Sequence, residues 1–169
     1  MSQVLDEARV EMDQLVSNMK TVILSTVSSE GTPNSSYAPS IKNDKGDYFI
    51  YISSLSKHTS NLLNGSTLSM MIIDDESDSE NIFARRRLTM DATPSLVDRG
   101  TDQWQEIIDM MEEQLGETIA YLKDLTDFHM FKLEPGSGLF VHGFGKAFKL
   151  SGGEFDKIEH INDTGHTKD

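Results

Sequence analysis

The chain contains no cysteine. This absence excludes disulfide bonds, thiolate nucleophiles, and zinc or iron–sulfur sites built from cysteine alone. The histidines also lack the His-x-x-x-His and His-x-Glu spacings of direct zinc sites. Any metal must therefore be held by histidine, carboxylate or backbone oxygen, or arrive inside a cofactor.

Basic residues are scarce: 15 Lys and Arg face 28 Asp and Glu, for a formal net charge of −13. The long-range field of such a chain opposes nucleic acid and anionic membranes, so we expect neither as a partner. Long hydrophobic runs are also missing, because "TVILSTV" and "TLSMMII" are too short to span a bilayer. No charged-then-apolar signal opens the sequence, and we expect a cytoplasmic protein.

Several familiar catalytic motifs are missing as well. The sequence has no Walker A loop, no Rossmann glycine fingerprint and no nucleophile elbow. The glycines of "GSGLFVHGFG" flank strands and do not open a helix, so they do not indicate a dinucleotide site.

What the sequence does contain predicts a mainly β, α+β domain. Residues 1–19 show helical spacing of apolar side chains, and three β-rich runs then follow, separated by "SSEGTP" and "NDKGD". These short connections predict an antiparallel meander. With the later short strands, they indicate an antiparallel split barrel over residues 20–150, interrupted by a helical insertion at about 97–125.

The remaining elements are predicted in less detail. "SKHTSNLLNG" reads as a short helix, and "STLSMMII" as a strand buried on both faces. A strand within "ARRRLTMDATPSLVD" is expected to end near Pro94. Three separate short strands are expected at "FHMFKLE", "GLFVHGF" and "KAFKLS". Residues 151–169 are interpreted as a C-terminal tail.

Three consecutive arginines, Arg85, Arg86 and Arg87, form a local basic site in this acidic chain. Arginine suits bidentate binding of carboxylate or phosphate, so the run predicts an anion clamp for a cofactor. A charged strand edge that discourages aggregation explains it equally well.

The histidines permit two interpretations each. His58 lies where a helix begins, beside residues that could hold an anion or merely cap the helix. His129 and His142 lie in predicted strands, where a hydrogen-bonded structural role is common. His160 and His166 belong to the acidic tail, which is either a frayed end or a segment that folds onto a group needing an imidazole.

The order of motifs resembles the haem-utilisation proteins of the HugZ and HutZ type, from about Lys20 to His166. The resemblance rests on "TVILSTVSSEGTPNSSYAPSI", "YFIYISSLSKHTSNL", "LSMMIIDDE", "FARRRLTMDA", "DFHMFKLEPGSGLFVHGFGKAF" and the final "GH". It implies a dimeric split barrel, within the superfamily of FMN-binding pyridoxamine-phosphate oxidases, that binds haem and in several members degrades it with O₂ and a reductant.

The resemblance also implies roles for particular residues. His166 matches the axial haem ligand, Asp127 the carboxylate paired with it, and Arg87 a basic residue of the haem pocket. Arg85 and Arg86 are expected with Arg87 near the propionates, and His58 near the dimer interface. An acceptor for the second imidazole N–H would fix the ring and raise its basicity.

Three functions follow as expectations. The first is oxidative degradation of haem, which is then both ligand and substrate. The second is an FMN-dependent oxidoreductase, with the arginines and "SKHTSN" on the phosphate and no task for the histidine tail. The third is a haem storage or delivery protein, which would need the same pocket as the first. The electron donor is not identified by the sequence.

Overall fold

The computed structural model describes residues 2–161, and its centre is a six-stranded antiparallel barrel. The strands follow the order β3-β2-β1-β4-β5-β6, and β3 also pairs with β6 to close the barrel. They are β1 (Thr21–Val27), β2 (Pro33–Lys42), β3 (Tyr48–Ser53), β4 (Leu68–Ile73), β5 (Arg87–Val97) and β6 (Phe128–Val141). The predicted fold class, a mainly β split barrel with an N-terminal helix and a helical insertion, is confirmed.

The α-helices of the described residues pack around the barrel: α1 (Gln3–Ser17), α2 (Lys57–Leu63), α3 (Asp102–Leu115) and α4 (Glu117–Leu122). The last two form the insertion, and they are separated at Gly116, whose φ of 92° favours glycine. Within residues 2–161, no helix has the length and apolar character needed to cross a membrane.

Two apolar clusters hold the domain together. The first fills the barrel, where the inward side chains of all six strands meet α1 through Ala8, Met12 and Leu15. The second lies outside the barrel, where α3 and α4 cover one surface of β3 and the start of β6. Strand β3 is therefore buried on both faces, which explains its nearly continuous apolar sequence.

Strand β4 differs from its prediction. Its burial alternates, with Leu68, Met70 and Ile72 in the core and the intervening residues half-buried on the outside. The expectation that it is buried on both faces is therefore wrong: within residues 2–161 only its inward face is fully buried. Met71 and Ile73 are among the half-buried residues that face away from the core.

The strands on either side of the insertion are longer than predicted. β5 begins at Arg87 and passes through Pro94 to Val97. The proline is tolerated because β4 pairs only as far as Ala92, so the missing N–H of Pro94 costs no bond on that side. "FHMFKLE" and "GLFVHGF" form one strand, β6, which pairs with β3 in its first half and with a further strand in its second.

Strand β7 (Ala147–Ser151) pairs with β8 (Lys157–His160). Strand β8 lies within the predicted tail. His160 is not frayed: its ring stacks on Phe148 at 4.8 Å, and its Nε2 lies 2.8 Å from the carbonyl oxygen of Gly145. His166, the predicted axial ligand, lies outside the described residues.

The turn before β8 holds two residues other than glycine in left-handed backbone conformation. Glu154 and Phe155 have φ values of 53° and 55°. Phe155 is 7% exposed and packs into the barrel core, while Arg9 donates a 2.6 Å hydrogen bond to its carbonyl oxygen. Core packing and this bond offset the unfavourable backbone conformation.

We expect Glu154→Gly to raise the free energy of unfolding by about 0.5–1 kcal/mol. Glycine relieves the left-handed backbone strain in the folded state, and this gain exceeds the additional conformational entropy that glycine loses on folding. Urea unfolding measures this change. Gly152→Ala is the matched control and should destabilise, because an added Cβ would collide with the Asp156 carboxylate. A Glu154→Gly variant less stable than the parent would contradict the account.

Candidate functional site

The predicted site residues occupy two regions of the chain. Arg85, Arg86 and Arg87 lie where the chain enters β5, beside Val141 at the end of β6. Asp127 directly precedes the first residue of β6, at the other end of that strand, and His58 lies on α2 beside Ser36 of β2. Strands β1 and β4 lie between β2 and β5. At typical strand spacing this is about 14 Å across the sheet.

Arg86 is committed to structural contacts. Its Nε donates to Asp74 at 2.8 Å, and its Nη1 donates to Glu11 at 2.8 Å and to Gln14 at 2.7 Å. These bonds join helix α1 to the connection between β4 and β5. A role for Arg86 toward a cofactor stays a prediction, and the structure shows three side chains already holding its guanidinium.

Arg85 and Arg87 differ from each other. Arg85 precedes the strand, and its Nε and Nη2 donate to the carbonyl oxygen of Asp74. Arg87 begins β5 on the outer face, between Ile73 and Val141. Within residues 2–161 the Arg87 side chain makes one hydrogen bond, in which Nη1 donates to the carbonyl oxygen of Arg85 at 3.0 Å.

His58 lies on α2, which closes one end of the barrel. The side chain is 8% exposed, and its Nδ1 lies 2.8 Å from the hydroxyl oxygen of Ser36. The alternative that Ser56 or Thr59 caps this helix is not what the structure shows, because Ser56 makes no capping bond. Thr59 instead donates to the carbonyl oxygen of Ser53.

A groove of about 600 Å³ lies between the insertion and strands β2 and β3. We call it the insertion groove. Its apolar lining comes mainly from the insertion and its barrel contacts: Tyr51, Met111, Leu115, Ile119, Leu122 and Phe128. Its polar lining includes Lys20, Ser53 and His58, and Tyr37 stands on its outer side. Its volume lies in the range of sites for cofactor-sized molecules.

Arg99, which the sequence analysis did not predict as a site residue, stabilises one wall of the groove. Its guanidinium donates to the hydroxyl of Tyr51 at 2.7 Å and to the carbonyls of Lys123 and Leu125 at 2.6 and 2.7 Å. It also lies 4.8 Å from the ring centroid of Trp104. The end of the insertion is thereby fixed to the barrel.

Asp127 lies near this wall, just before β6. Burial is the main cause that raises the pKa of Tyr51, and the negative charges of Asp124 and Asp127 add to it. The backbone carbonyl of Asp127 accepts from the N–H of Ser54 at 2.7 Å. Within residues 2–161 its exposed carboxylate has no hydrogen-bond partner, so it is available to a further donor.

A row of apolar side chains crosses the outer face of the barrel between the two regions. Ile23 pairs with Tyr37 and with Met71, Met71 pairs with Thr89, and Thr89 pairs with Leu139. We call these five residues the outer-face row. Tyr37 is 67% exposed and Leu139 is 41% exposed. The row therefore presents apolar surface to solvent in a single chain.

No protein metal centre accompanies these residues in the described part of the chain. Residues 2–161 contain no group of three or more His, Asp or Glu side chains able to hold a metal ion.

His58 makes the stability of the fold depend on pH. Burial lowers its pKa below the ordinary value of 6.5, so the folded protein keeps it neutral. Below about pH 6.5 the unfolded chain binds a proton that the folded chain does not, and stability falls. His142 acts in the same direction, because burial and Lys146 lower its pKa.

We expect His58→Asn, which can keep the bond to Ser36, to lose less stability than the parent protein between pH 7 and about pH 5.5. Urea unfolding at several pH values measures this difference. An identical pH dependence in both proteins would contradict a neutral, buried His58.

The family model described as pyridoxamine 5'-phosphate oxidase matches residues 8–142 of this chain. The protein named "Heme oxygenase HutZ" from Vibrio cholerae is 42% identical over 158 residues, which are 94% of this chain and 89% of that protein.

Solved structures of related proteins are similar to this chain in both sequence and fold. The structure described as HutZ, the heme storage protein from Vibrio cholerae, has 38% identity and a TM-score of 0.76, covering 81% of this chain and 97% of that one. Campylobacter jejuni ChuZ has 30% identity and a TM-score of 0.86, covering 96% of this chain and 66% of that one. The chain therefore belongs to the HutZ and HugZ family of haem-utilisation proteins, within the pyridoxamine 5'-phosphate oxidase superfamily.

Proposed function

We propose that this protein binds haem between two copies of the chain and opens its porphyrin ring oxidatively. The reaction would consume O₂ and electrons from an external donor and release iron. The similarity to the protein named "Heme oxygenase HutZ" over 94% of the chain supports haem as the substrate. The cytoplasmic location expected from the sequence is part of this proposal.

The observation that carries the proposal is that Arg87 and the insertion groove lie near the two ends of the outer-face row. Arg87 stands beside one end of the outer-face row, and the insertion groove begins at Tyr37 at the other. A twofold axis through the middle of this face would place Arg87 of each protomer against the groove of the other. The apolar row between them would then be covered by its own copy.

In this arrangement each residue has a separate task. His166 would bind the haem iron, and Asp127 would accept a hydrogen bond from the second imidazole nitrogen of His166. Arg87 would pair with a propionate, as the arginine of the run whose side chain is least occupied within residues 2–161. The apolar walls of the insertion groove would exclude water from the porphyrin.

Met71→Glu should prevent dimer formation, because a carboxylate would be placed in the middle of the outer-face row. Light scattering should give a dimer for the parent protein and a monomer for the variant. Glu113→Gln changes an exposed side chain on α3 and is the control, expected to remain a dimer. A dimeric Met71→Glu variant would remove this face from the interface.

Storage without turnover is the second candidate, favoured by the description of the related structure as a heme storage protein. The two functions separate when ascorbate is added in air to the haemin complex. Loss of the Soret band with release of iron supports degradation. A band that persists with any of several reductants supports storage, and bound flavin without haem binding supports the FMN alternative.

A further inference from the structure

Ser54 extends the β3–β6 ladder one residue beyond its last pair, Ser53 with Phe128. Its N–H donates to the carbonyl oxygen of Asp127 at 2.7 Å, and its Oγ lies 2.9 Å from the same oxygen. A carbonyl oxygen has two lone pairs, so both donors can be accepted together. The backbone of Asp127 is thus held twice, although its side chain is exposed.

His129 completes a short chain of donors. Its Nε2 lies 2.8 Å from Oγ of Ser54. A serine hydroxyl has a single hydrogen, and here that hydrogen is directed to Asp127. The oxygen of Ser54 must then accept from His129, so Nε2 must carry a proton. The relay runs from His129 through Ser54 to the carbonyl oxygen of Asp127.

We infer that His129 is a positioning residue for Asp127, acting through Ser54. This inference rests on the proposed function, in which the carboxylate of Asp127 orients the axial imidazole. Asp127 stands at a junction between loop and strand, where a side chain can otherwise move with its backbone. Fixing its carbonyl fixes the direction in which its carboxylate projects, and such outer partners tune both affinity and activity.

The alternative is a purely structural role, in which His129, Ser54 and Asp127 only stabilise the end of the β3–β6 ladder. Both ideas predict some loss of stability when the relay is broken. They differ in what happens to the haem complex, because only a positioning role couples His129 and Ser54 to the chemistry assigned to Asp127. The test therefore needs one readout that does not involve haem and one that does.

The readout without haem is NMR of the protein labelled with ¹⁵N. Long-range ¹H–¹⁵N correlations should show the Nε2–H tautomer for neutral His129. Exchange of the Ser54 amide should accelerate about fivefold in His129→Leu, the loss expected when one hydrogen bond of its network is removed. His129→Gln, which offers an N–H donor at a similar distance, should keep the slow exchange. An Nδ1–H tautomer would overturn the relay.

The readout with haem is the rate at which ascorbate in air bleaches the Soret band. His129→Leu and Ser54→Ala should each slow it about three- to tenfold, less than the direct partner Asp127→Asn. His129→Gln and Ser54→Thr should stay close to the parent protein. His129→Leu should add nothing to Asp127→Asn, because residues that act through one another are not additive.

The outcomes separate the two claims. If the parent protein binds no haem, the proposed function fails, and the relay is decided by the tautomer and by amide exchange alone. If haem is bleached and His129→Leu matches the parent rate, the positioning role is overturned while the proposed function stands. His160→Leu is the histidine control, since that ring belongs to β8, and its bleaching rate should be unchanged.

Discussion

The His166→Ala variant is expected to lose haem binding. The proposal makes His166 a direct ligand to iron, and removal of such a ligand should weaken affinity by more than the roughly 10- to 100-fold loss typical of outer partners. The position of the Soret band should change as well, because the axial ligand sets the electronic state of the iron. Haemin titration followed in the Soret region measures both effects.

The control for this prediction is the other histidine near the C-terminus. His160 stacks on Phe148 and bonds to the Gly145 carbonyl, so His160→Ala should leave the Soret band in place while weakening β8. An unchanged Soret band in His166→Ala would instead assign the iron to another residue. His58 would then be the next to substitute, because it lines the insertion groove.

Arg86→Met is expected to be the most damaging change in the arginine run. It would leave the carboxylates of Asp74 and Glu11 without their shared partner, and it would detach α1 from the connection between β4 and β5. The side chain of Arg86 is only 17% exposed, so the expected loss is about 2–3 kcal/mol of unfolding free energy. Urea unfolding of the apo protein measures it.

Arg87→Met is the matched control, because it replaces the neighbouring arginine by the same residue. Its effect on apo stability should stay within about 0.5 kcal/mol, as for other surface substitutions. Its effect on haem retention should be larger, since the proposal assigns it to a propionate. Equal stability losses in the two variants would contradict the division of the run into a structural and a ligand-binding arginine.

Local sequence chemistry was enough to predict the barrel. The turn residues in "NDKGD" place β2 and β3 in a hairpin, and the helical spacing of Ala8, Met12 and Leu15 indicates the face of α1 that enters the core. These features depend on residues close together in sequence, where propensity and pattern are informative.

The features that were missed depend on contacts between distant residues. The sequence contains "ARRRLT" but nothing in it shows that the middle arginine faces Glu11 and Asp74 while Arg87 faces outward. The insertion groove depends on how the insertion packs on the barrel, through a shared apolar cluster and through the hydrogen bond from Arg99 to Tyr51. Whether another element covers the outer face of β4 likewise depends on residues distant in sequence.

The assignment of site residues required the resemblance to a family. Asp127 and His58 have no local signal that distinguishes them from ordinary polar residues at strand and helix ends. The structure contributes something different, because it places Arg87 on the outer face of β5 and Asp127 at the far end of the neighbouring strand β6. The proposal of a site shared between two chains rests on this separation.

A mixed-dimer experiment tests this central claim most directly. Arg87→Ala and Asp127→Ala proteins, each expected to be poor in haem bleaching, would be mixed under conditions that exchange subunits. If each site takes Arg87 from one chain and Asp127 from the other, a mixed dimer contains one intact site, and a 1:1 mixture should recover about a quarter of the parent sites. No recovery despite verified exchange would place both residues in the same chain's site and contradict the account.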